Sequence, residues 1–431
     1  MAINPMAFMA KVARRYGGLA RIPIRGNYLY LASSPDIVRE LLITHRQRYV
    51  KNTRYPQIQA LLGRGLLLAE AEPWRRQRLI TQPHFKAEPV EAQIPWMAET
   101  ARRQLDRWQS YVRSRAVLDV EPEFATLAQK LSGQSLFGAS FASVGALFCN
   151  AASAVKQCWP KAPTSVWGVL IPARRHMLPA FDNSLAALDQ CVYKILAERR
   201  ATDFQDCGML QHLARSNRME GQPFTERELR DQLLTLFFAG YETSATALCW
   251  IHYLLAQNTD VYLRLMAEVD AVLDGRVPTA ESLNQLQYTA QVVQESLRLY
   301  SPIHSISRVA LEENTLGAYR IPAGASVCVS VHAMHRLAEF WPDPEQFDPT
   351  RFDPDKCEVR HRFSYLPFAA GHRNCIGAGQ AIVELKLIVA LIAQRYRLRL
   401  VPGQRIEPAP GTTMYPRFGM KVMVDAKAGP T

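Results

Sequence analysis

The 431-residue sequence has no two cysteines spaced CxxC, no internal repeat and no low-complexity linker. It also has no apolar run approaching the ~18 residues of a membrane span. Each absence excludes a class. The eight cysteines (Cys149, Cys158, Cys191, Cys207, Cys249, Cys328, Cys357 and Cys375) lie mostly in apolar company. That argues against a disulfide framework and for a reducing compartment. The opening "MAINPMAFMAKVARR" puts its charges after a short apolar patch, the reverse of a secretory signal. No export, no membrane anchor and no transmembrane segment are expected, and the location expected is cytoplasmic. Acidic residues are the scarcer charge, 39 against 51 basic, a formal net charge of +12. The arginines are dispersed in pairs such as Arg75–Arg76, Arg102–Arg103 and Arg174–Arg175, with no basic block interleaved with aromatics. Nucleic-acid binding is therefore not expected, and an anionic surface or an acidic protein partner remains.

Strand signals are few and helical periodicity dominates. Met97 to Val112 and Ser184 to Arg200 read as amphipathic helices. Thr225 with Glu228 three residues on forms a capping box before an apolar run of over thirty residues without proline. A helix so long and apolar nearly all round must pass through the middle of the protein. "LNQLQYTAQVVQESLRLY" is another helix, ended at Ser301–Pro302. "YLYLASS" and "YRIPAGASVCVSV" read as short hairpin pieces, and "WPDPEQFDPTRFDPD" as an ordered irregular loop. The fold class expected is mainly α: one large helical domain over residues 1–431 with small β-sheets. Residues 160–179 form a candidate lid between helices.

The stretch "FAAGHRNCIGAG", residues 368–379, sets Cys375 among Gly371, Gly377 and Gly379, directly before a long apolar helix. A free cysteine is most often a small buried hydrophobe. Here the glycines allow close approach of something flat, and the helix N-terminus favours a thiolate. Three uses follow. As a nucleophile the thiolate needs a base, and His372 is near. As a zinc ligand it has Cys357, His361 and His372 for company, at a spacing that fits no zinc pattern. As the single axial ligand of a heme iron it needs only a flat groove and cations for the propionates.

Phe368-x-x-Gly371-x-Arg373-x-Cys375-x-Gly377 resembles the heme-binding signature of the cytochrome P-450 monooxygenases. Three further signatures stand in the family's order: Glu295-Ser-Leu-Arg298, Pro349-Thr-Arg351-Phe352 and Ala239-Gly240-Tyr-Glu242-Thr243-Ser244. The likeness runs from about Pro5 to about Val424, without the family's membrane anchor, as in its soluble bacterial members. It implies heme b with Cys375 as axial thiolate, held also by Phe368 and Gly377. It implies a structural network of Glu295, Arg298 and Arg351. It implies propionate partners at Trp74, Arg78, Arg308 and Arg373.

Glu295 and Arg298 share a helical face in apolar surroundings, so the pair needs every lone pair satisfied, and Arg351 is the third member on offer. Gly240 sits mid-helix, where glycine costs roughly 1 kcal/mol against alanine. The resemblance implies that it loosens the backbone and leaves room for dioxygen, with Glu242 and Thr243 as the acid–alcohol pair that delivers protons. The bland alternatives are a helix-packing contact at Gly240 and an idle hydroxyl bonded back to Ala239. The implied substrate pocket takes Phe237, Phe238, Ala239 and Gly240 from the central helix, and Ile303, His304 and Ile306 from "PIHSIS". The loop near Ile58 to Leu67, and Met414 and Tyr415, complete it. It suits a lipophilic or aromatic molecule, with His304 and Tyr415 able to orient a polar group. The motif forms resemble the fatty-acid and terpenoid hydroxylating branches more than the camphor-type branch. No flavin or iron–sulfur module and no reductase is fused to the chain. Electrons from NAD(P)H are expected through a separate ferredoxin or flavodoxin and its reductase, docking near Arg75, Arg76 and His372. Competing readings are a heme-thiolate peroxygenase or isomerase without a redox partner, and a non-enzymatic heme-binding or zinc-binding protein. The intact Glu242–Thr243 pair speaks against the first.

Overall fold

The structure, a computed structural model, describes residues 4–24, 27–51, 56–158, 179–200, 208–219, 224–355 and 360–427. The candidate lid lies outside them except for Pro179, which opens the helix Pro179–Arg200. Cys207 and Cys357 also lie outside.

The fold is mainly helical around the helix Glu226–Gln257, ~48 Å long at 1.5 Å per residue. Its start is fixed by the expected capping box: Thr225 Oγ1 accepts from the Glu228 amide at 3.2 Å, and the Glu228 carboxylate accepts from the Thr225 amide at 2.8 Å. Residues on every face are buried, and the polar ones among them are spent on fastening neighbours. Arg230 donates to Asp189 at 2.8 Å and to the Leu61 carbonyl at 2.9 Å. Asp231 accepts from the Arg64 amide at 2.8 Å, and Gln232 from the Leu66 amide at 3.2 Å. The stretch expected as a loop from Ile58 to Leu67 is thus pinned to the central helix, and its first part is itself a helix, Pro56–Leu62.

The helix Ala378–Arg395 buries a run from Glu384 to Ala393 and packs against the central helix and the helix Gln287–Leu299. The expected helix from Met97 to Val112 is two, Ile94–Asp106 and Trp108–Ser114, parted at Arg107. The helical stretch Val120–Cys158 has the length and composition of a membrane-span candidate, but only half of its most apolar window is buried. It folds back at Gly138 (φ 56°) into Val120–Phe137 and Phe141–Cys158. Phe137 meets Phe141 and Phe148 across that turn, with ring centroids 6.0 and 5.5 Å apart. Val120–Phe137 packs on the central helix and Phe141–Cys158 on the helix Pro179–Arg200.

One mixed sheet of five strands runs in the order Leu19–Ile24, Asn27–Ala32, Ser326–Ser330, Ser305–Ala310, Tyr49–Lys51. The first two form the expected hairpin piece, with Leu19 opposite Ala32. The second expected hairpin does not form within itself. Tyr319–Ile321 pairs with Asn314–Leu316, whereas Ser326–Ser330 pairs parallel with Asn27–Ala32 and antiparallel with Ser305–Ala310. Strand pairing across some 300 residues leaves no local trace in the sequence. The sheet carries Lys51, Ile306 and Arg308 to one cavity wall.

Candidate active site

The central helix, the segment 302–308, the loop before Ala378–Arg395 and the C-terminal turn 410–418 enclose one cavity of about 1340 Å³. On its wall lie Cys375, Phe368, Gly377, Arg373, Arg308, Phe238, Ala239, Gly240, Glu242, Thr243, Ile303, His304, Ile306 and Tyr415. Phe237, Met414, Trp74 and Arg78 are not on it. Phe237 turns instead into an aromatic cluster with Phe148 and Tyr241, centroids 4.7 and 5.1 Å away. Met414 is fully buried, and its carbonyl accepts from Trp250 Nε1 at 2.6 Å. Both are apolar residues one step along the chain from a lining residue, and burial alone does not say which one faces the cavity.

The cysteine loop is built from the inside out. Arg298 is fully buried and grips Glu295 through two parallel bonds of 2.6 and 2.7 Å. Its other hydrogens reach the carbonyls of His335, Pro344 and Gln346 at 2.8, 2.7 and 3.0 Å. Glu295 further accepts from the Asp348 amide at 3.1 Å, and Arg351 approaches it to 3.4 Å. Burial is the largest influence on the Glu295 carboxyl and pushes its pKa up, while Arg298 opposes it. A buried pair of this kind is tolerable only because nearly every donor and acceptor is used. Its output is geometric: the aspartate-rich loop is tied to the helix that precedes the cysteine segment. His335 and Tyr365, which the sequence reading missed, extend the tie. His335 Nδ1 meets the Arg298 carbonyl at 2.9 Å, and Nε2 receives the Leu366 amide at 2.7 Å. The Tyr365 hydroxyl donates to the Gln294 carbonyl at 2.8 Å.

Gly371 holds φ 77°, and a Cβ there would lie 2.3 Å from the Leu42 carbonyl oxygen, so this glycine is required. Gly377 and Gly379 have no such conformation: the first would give a Cβ 3.4 Å from Phe85, the second a Cβ in open space. The Cys375 amide closes the turn on the Phe368 carbonyl at 2.9 Å. The thiol is exposed by area, yet that area belongs to the cavity and the group is surrounded by protein. The sulfur therefore feels burial first, which raises its pKa, while the Gly377 amide, Arg78 and Lys51 lower it by less. The helix N-terminus expected to favour a thiolate is outweighed; a bound cation would reverse the balance, because a metal deprotonates the thiol that ligates it.

Of the cations on this cavity, Lys51, Arg308 and Arg373 lie close together. Arg373 pairs with Glu70 and lies over the Trp74 ring at 4.2 Å, while its Nη1 is buried without a hydrogen-bond partner. Arg308 is buried, and that burial holds its pKa down at about 10. Lys51, absent from the sequence reading, donates to the Leu67 carbonyl at 2.9 Å. Burial, then Arg308 and Arg373, lower its pKa to about 7. Glu70 is the one carboxylate interacting with this group, so positive charge predominates at this end of the cavity. Arg78 instead holds Asn374 through its carbonyl and side-chain oxygens, at 2.9 and 3.0 Å. A single sulfur, an orphaned guanidinium nitrogen and uncompensated cations on one cavity fit an iron porphyrin with two propionates. They do not fit zinc, and among the described residues no cluster of three metal-ligating side chains exists.

On the central helix the backbone is continuous through Gly240, not loosened. Gly240 is a packing contact as well as a lining residue: a Cβ there would meet Ser132 Oγ at 3.0 Å. Thr243 Oγ1 donates to the Ala239 carbonyl at 2.7 Å. The Glu242 carboxylate accepts from the hydroxyls of Thr412 and Thr413, the latter at 3.3 Å. Those two threonines are a second signal the sequence reading missed. His304 Nε2 bonds the Gly411 carbonyl at 3.4 Å, tying it to the C-terminal turn, while its buried Nδ1 has no hydrogen-bond partner. Arg76 is likewise committed, to Glu228 at 3.4 Å and the Phe224 ring at 4.5 Å, leaving Arg75 as the exposed member of that pair. A smaller cavity of about 480 Å³ borders the same cysteine loop, beside exposed Arg39 and Arg362 and half-buried His372.

The cytochrome P-450 family model matches residues 3–422. Cyclooctat-9-en-7-ol 5-monooxygenase of Streptomyces melanosporofaciens is 34% identical over 93% of this chain and 86% of its own length. Cyclooctatin synthase of the same organism is 32% identical over 95% and 89%. Pentalenene oxygenase of Streptomyces avermitilis is 26% identical over 99% and 94%. Among solved structures, the heme domain of cytochrome P-450DA superposes with a TM-score of 0.87 at 25% identity, covering 99% of this chain and 93% of that one.

Proposed function

The chain belongs to the cytochrome P-450 family and is a monooxygenase, and from that premise we propose that it hydroxylates a cyclic terpenoid hydrocarbon or alcohol in bacterial secondary metabolism. The observation that carries the reading is the single cavity onto which Cys375, the cations Arg308, Arg373 and Lys51, and the Glu242–Thr243 pair all open. Residues 1–431 then form one catalytic domain. Cys375 would hold the heme iron through its sulfur, and Arg308, Arg373 and Lys51 would hold the propionates. The chemistry supplied by bound heme is reductive cleavage of dioxygen: with two electrons and two protons, one oxygen atom enters a C–H bond and the other leaves as water.

What the chain itself contributes is position and protons. Thr243, its hydrogen spent on Ala239, presents lone pairs to the cavity and accepts a hydrogen bond there. Glu242 holds the proton that follows. The network of Glu295, Arg298 and Arg351 acts at a distance, fixing the loop. Ile58, Leu61, Leu67, Phe238, Ile303 and Ile306 offer an apolar wall that excludes water from the reacting carbon. The name of one Streptomyces relative, cyclooctat-9-en-7-ol 5-monooxygenase, supports a substrate of that kind. Electrons would come from NAD(P)H through a separate acidic ferredoxin or flavodoxin. It would dock on the cationic border of the cysteine loop at Arg39, Arg75 and Arg362.

Reduced protein under carbon monoxide should give the long-wavelength thiolate–heme band, and Cys375→Ser should abolish it. A zinc or purely structural reading predicts a colourless protein. A panel of cyclic terpenes and terpene alcohols, added to ferric protein, should include members that shift the iron to high spin. Shifts from linear fatty acids alone would overturn the substrate class and leave the monooxygenase standing.

A further inference from the structure

The cavity has a second, polar wall. On the helix Val120–Phe137, the residues Glu121, Ala125, Gln129, Ser132 and Leu136 recur at helical spacing and all line it. From Glu121 to Ser132 this stripe spans ~16 Å at 1.5 Å per residue. Its inner end lies against the central helix, where Ser132 Oγ stands 3.0 Å from the Cβ position of Gly240. Gln129 Nε2 donates to Ser153 Oγ at 3.1 Å, adding a hydroxyl from the neighbouring helix. At the outer end Lys156 Nζ stands 3.8 Å from Glu121 Oε1, with side chains 35% and 30% exposed, so this end meets solvent.

Glu242 needs such a connection. Among the described residues the hydrogen bonds to its carboxylate come from the hydroxyls of Thr412 and Thr413, which are not acids at working pH. After giving up a proton it must be recharged from water. We propose that Glu121 is the outer carboxylate of a proton path along this stripe, receiving protons from solvent beside Lys156 and passing them to Glu242 through water held by Gln129 and Ser132. Glu121 is a positioning and relay residue, acting through Glu242 and not on the reacting atoms. The inference rests on the reading of Glu242 as the inner proton donor. The balance is unchanged: each dioxygen still takes two electrons and two protons, and the path says only where the protons come from.

Two features suit Glu121 to the task. Its carboxyl pKa is raised, by burial first, while Lys156 lowers it and Asp119 and Glu242 raise it further. It therefore holds a proton more readily than a surface glutamate and responds to the charge on Glu242. The helix cap is supplied by Asp119, whose Oδ1 accepts from the Glu121 amide at 3.2 Å, so the Glu121 side chain is free of that duty.

The test compares Glu121→Gln, Glu121→Asp and Glu242→Gln in the heme-loaded protein with a hydroxylatable cyclic terpene. We expect Glu121→Gln to raise the peroxide released per NAD(P)H several-fold and to enlarge the solvent deuterium isotope effect, with substrate-induced spin shift unchanged. Glu121→Asp should restore coupling. Independently of turnover, the infrared carboxyl band lost in Glu121→Gln should titrate at lower pH in Glu242→Gln. If Glu242→Gln uncouples but Glu121→Gln leaves both peroxide yield and isotope effect untouched, the path is wrong and the inner donor stands. If Glu242→Gln itself stays coupled, the reading of Glu242 fails and this inference with it.

Discussion

The backbone amide of Leu366 donates to Nε2 of His335 at 2.7 Å. The opposite ring nitrogen meets the Arg298 carbonyl at 2.9 Å, so it must carry the hydrogen. Burial depresses the imidazole pKa to about 3. The ring is neutral in one fixed tautomer at any working pH, a rigid spacer between the Glu295–Arg298 helix and the segment leading to Cys375. Removing it as His335→Ala strands a buried N–H and a buried C=O, each costing about 1–3 kcal/mol, and leaves a void. We expect a lower unfolding midpoint and faster heme loss, with Cys375 untouched. His335→Gln, which can replace one of the two bonds, should fall between. Thermal unfolding and heme transfer to apomyoglobin measure both; unchanged heme loss in the alanine variant would show that the ring does not brace the loop.

Glu384 gives a pH signature. It is buried on the helix that follows Cys375, and one of its oxygens has no partner. Burial raises its pKa from 4.5 to about 7, with the Ser244 hydroxyl offsetting part. The folded state thus binds the proton more tightly than the unfolded chain. Its contribution is fully present below pH 4.5, falls as pH rises, and is gone near pH 7; the swing is about 3 kcal/mol. Glu384→Gln should flatten that slope and make the protein more stable at pH 8. Urea unfolding of both proteins at pH 5 and pH 8 decides it: an unaltered difference between the two pH values would assign the slope to another group.

How much could be read from the chain depends on the range of the interaction. The turn around Cys375, the Glu295–Arg298 pair and the Thr225–Glu228 cap are local, set by spacings of a few residues, and their geometry is where the sequence puts it. Arg351 reaches Glu295 from a distance because its loop is short and ordered. Lys51, Glu70, Thr412, Thr413 and His335 were not legible, because each acts across a contact of long sequence separation. Phe237 against Phe238 shows a second limit. Successive helical residues point about 100° apart, and on a helix buried all round nothing in composition marks the face that meets a cavity. The sign of the Cys375 shift failed for a third reason: burial is a property of the assembled fold and outweighs the local dipole.

Gly371 and Gly379 should behave oppositely although both flank the same cysteine. Alanine at 371 would adopt a left-handed conformation costing about 1–3 kcal/mol and press its Cβ to 2.3 Å from the Leu42 carbonyl, a backbone atom that cannot rotate away. The loop must shift, and Gly371→Ala should be recovered with little heme. Gly379→Ala meets open space and sits at the start of the helix Ala378–Arg395, so it should be neutral or more stable by up to roughly 1 kcal/mol. Heme-to-protein ratios of the purified pair test this; equal heme content would remove the steric reading of position 371.

Thr243 carries the last expectation. Its hydroxyl hydrogen is directed at the Ala239 carbonyl at 2.7 Å, with the Gly240 carbonyl at 3.3 Å as the alternative. The oxygen can therefore accept a hydrogen bond in the cavity but has no hydrogen left to donate. Thr243→Ser keeps the acceptor and should stay coupled. Thr243→Val keeps the branched shape and removes the hydrogen-bonding oxygen. It should consume NAD(P)H at a similar rate while product falls and peroxide rises. Thr243→Ala should do the same, with some added loss of stability. The isosteric variant is the decisive one. If valine at 243 hydroxylates as tightly as threonine, the hydroxyl serves only the helix backbone and proton delivery rests on Glu242 alone.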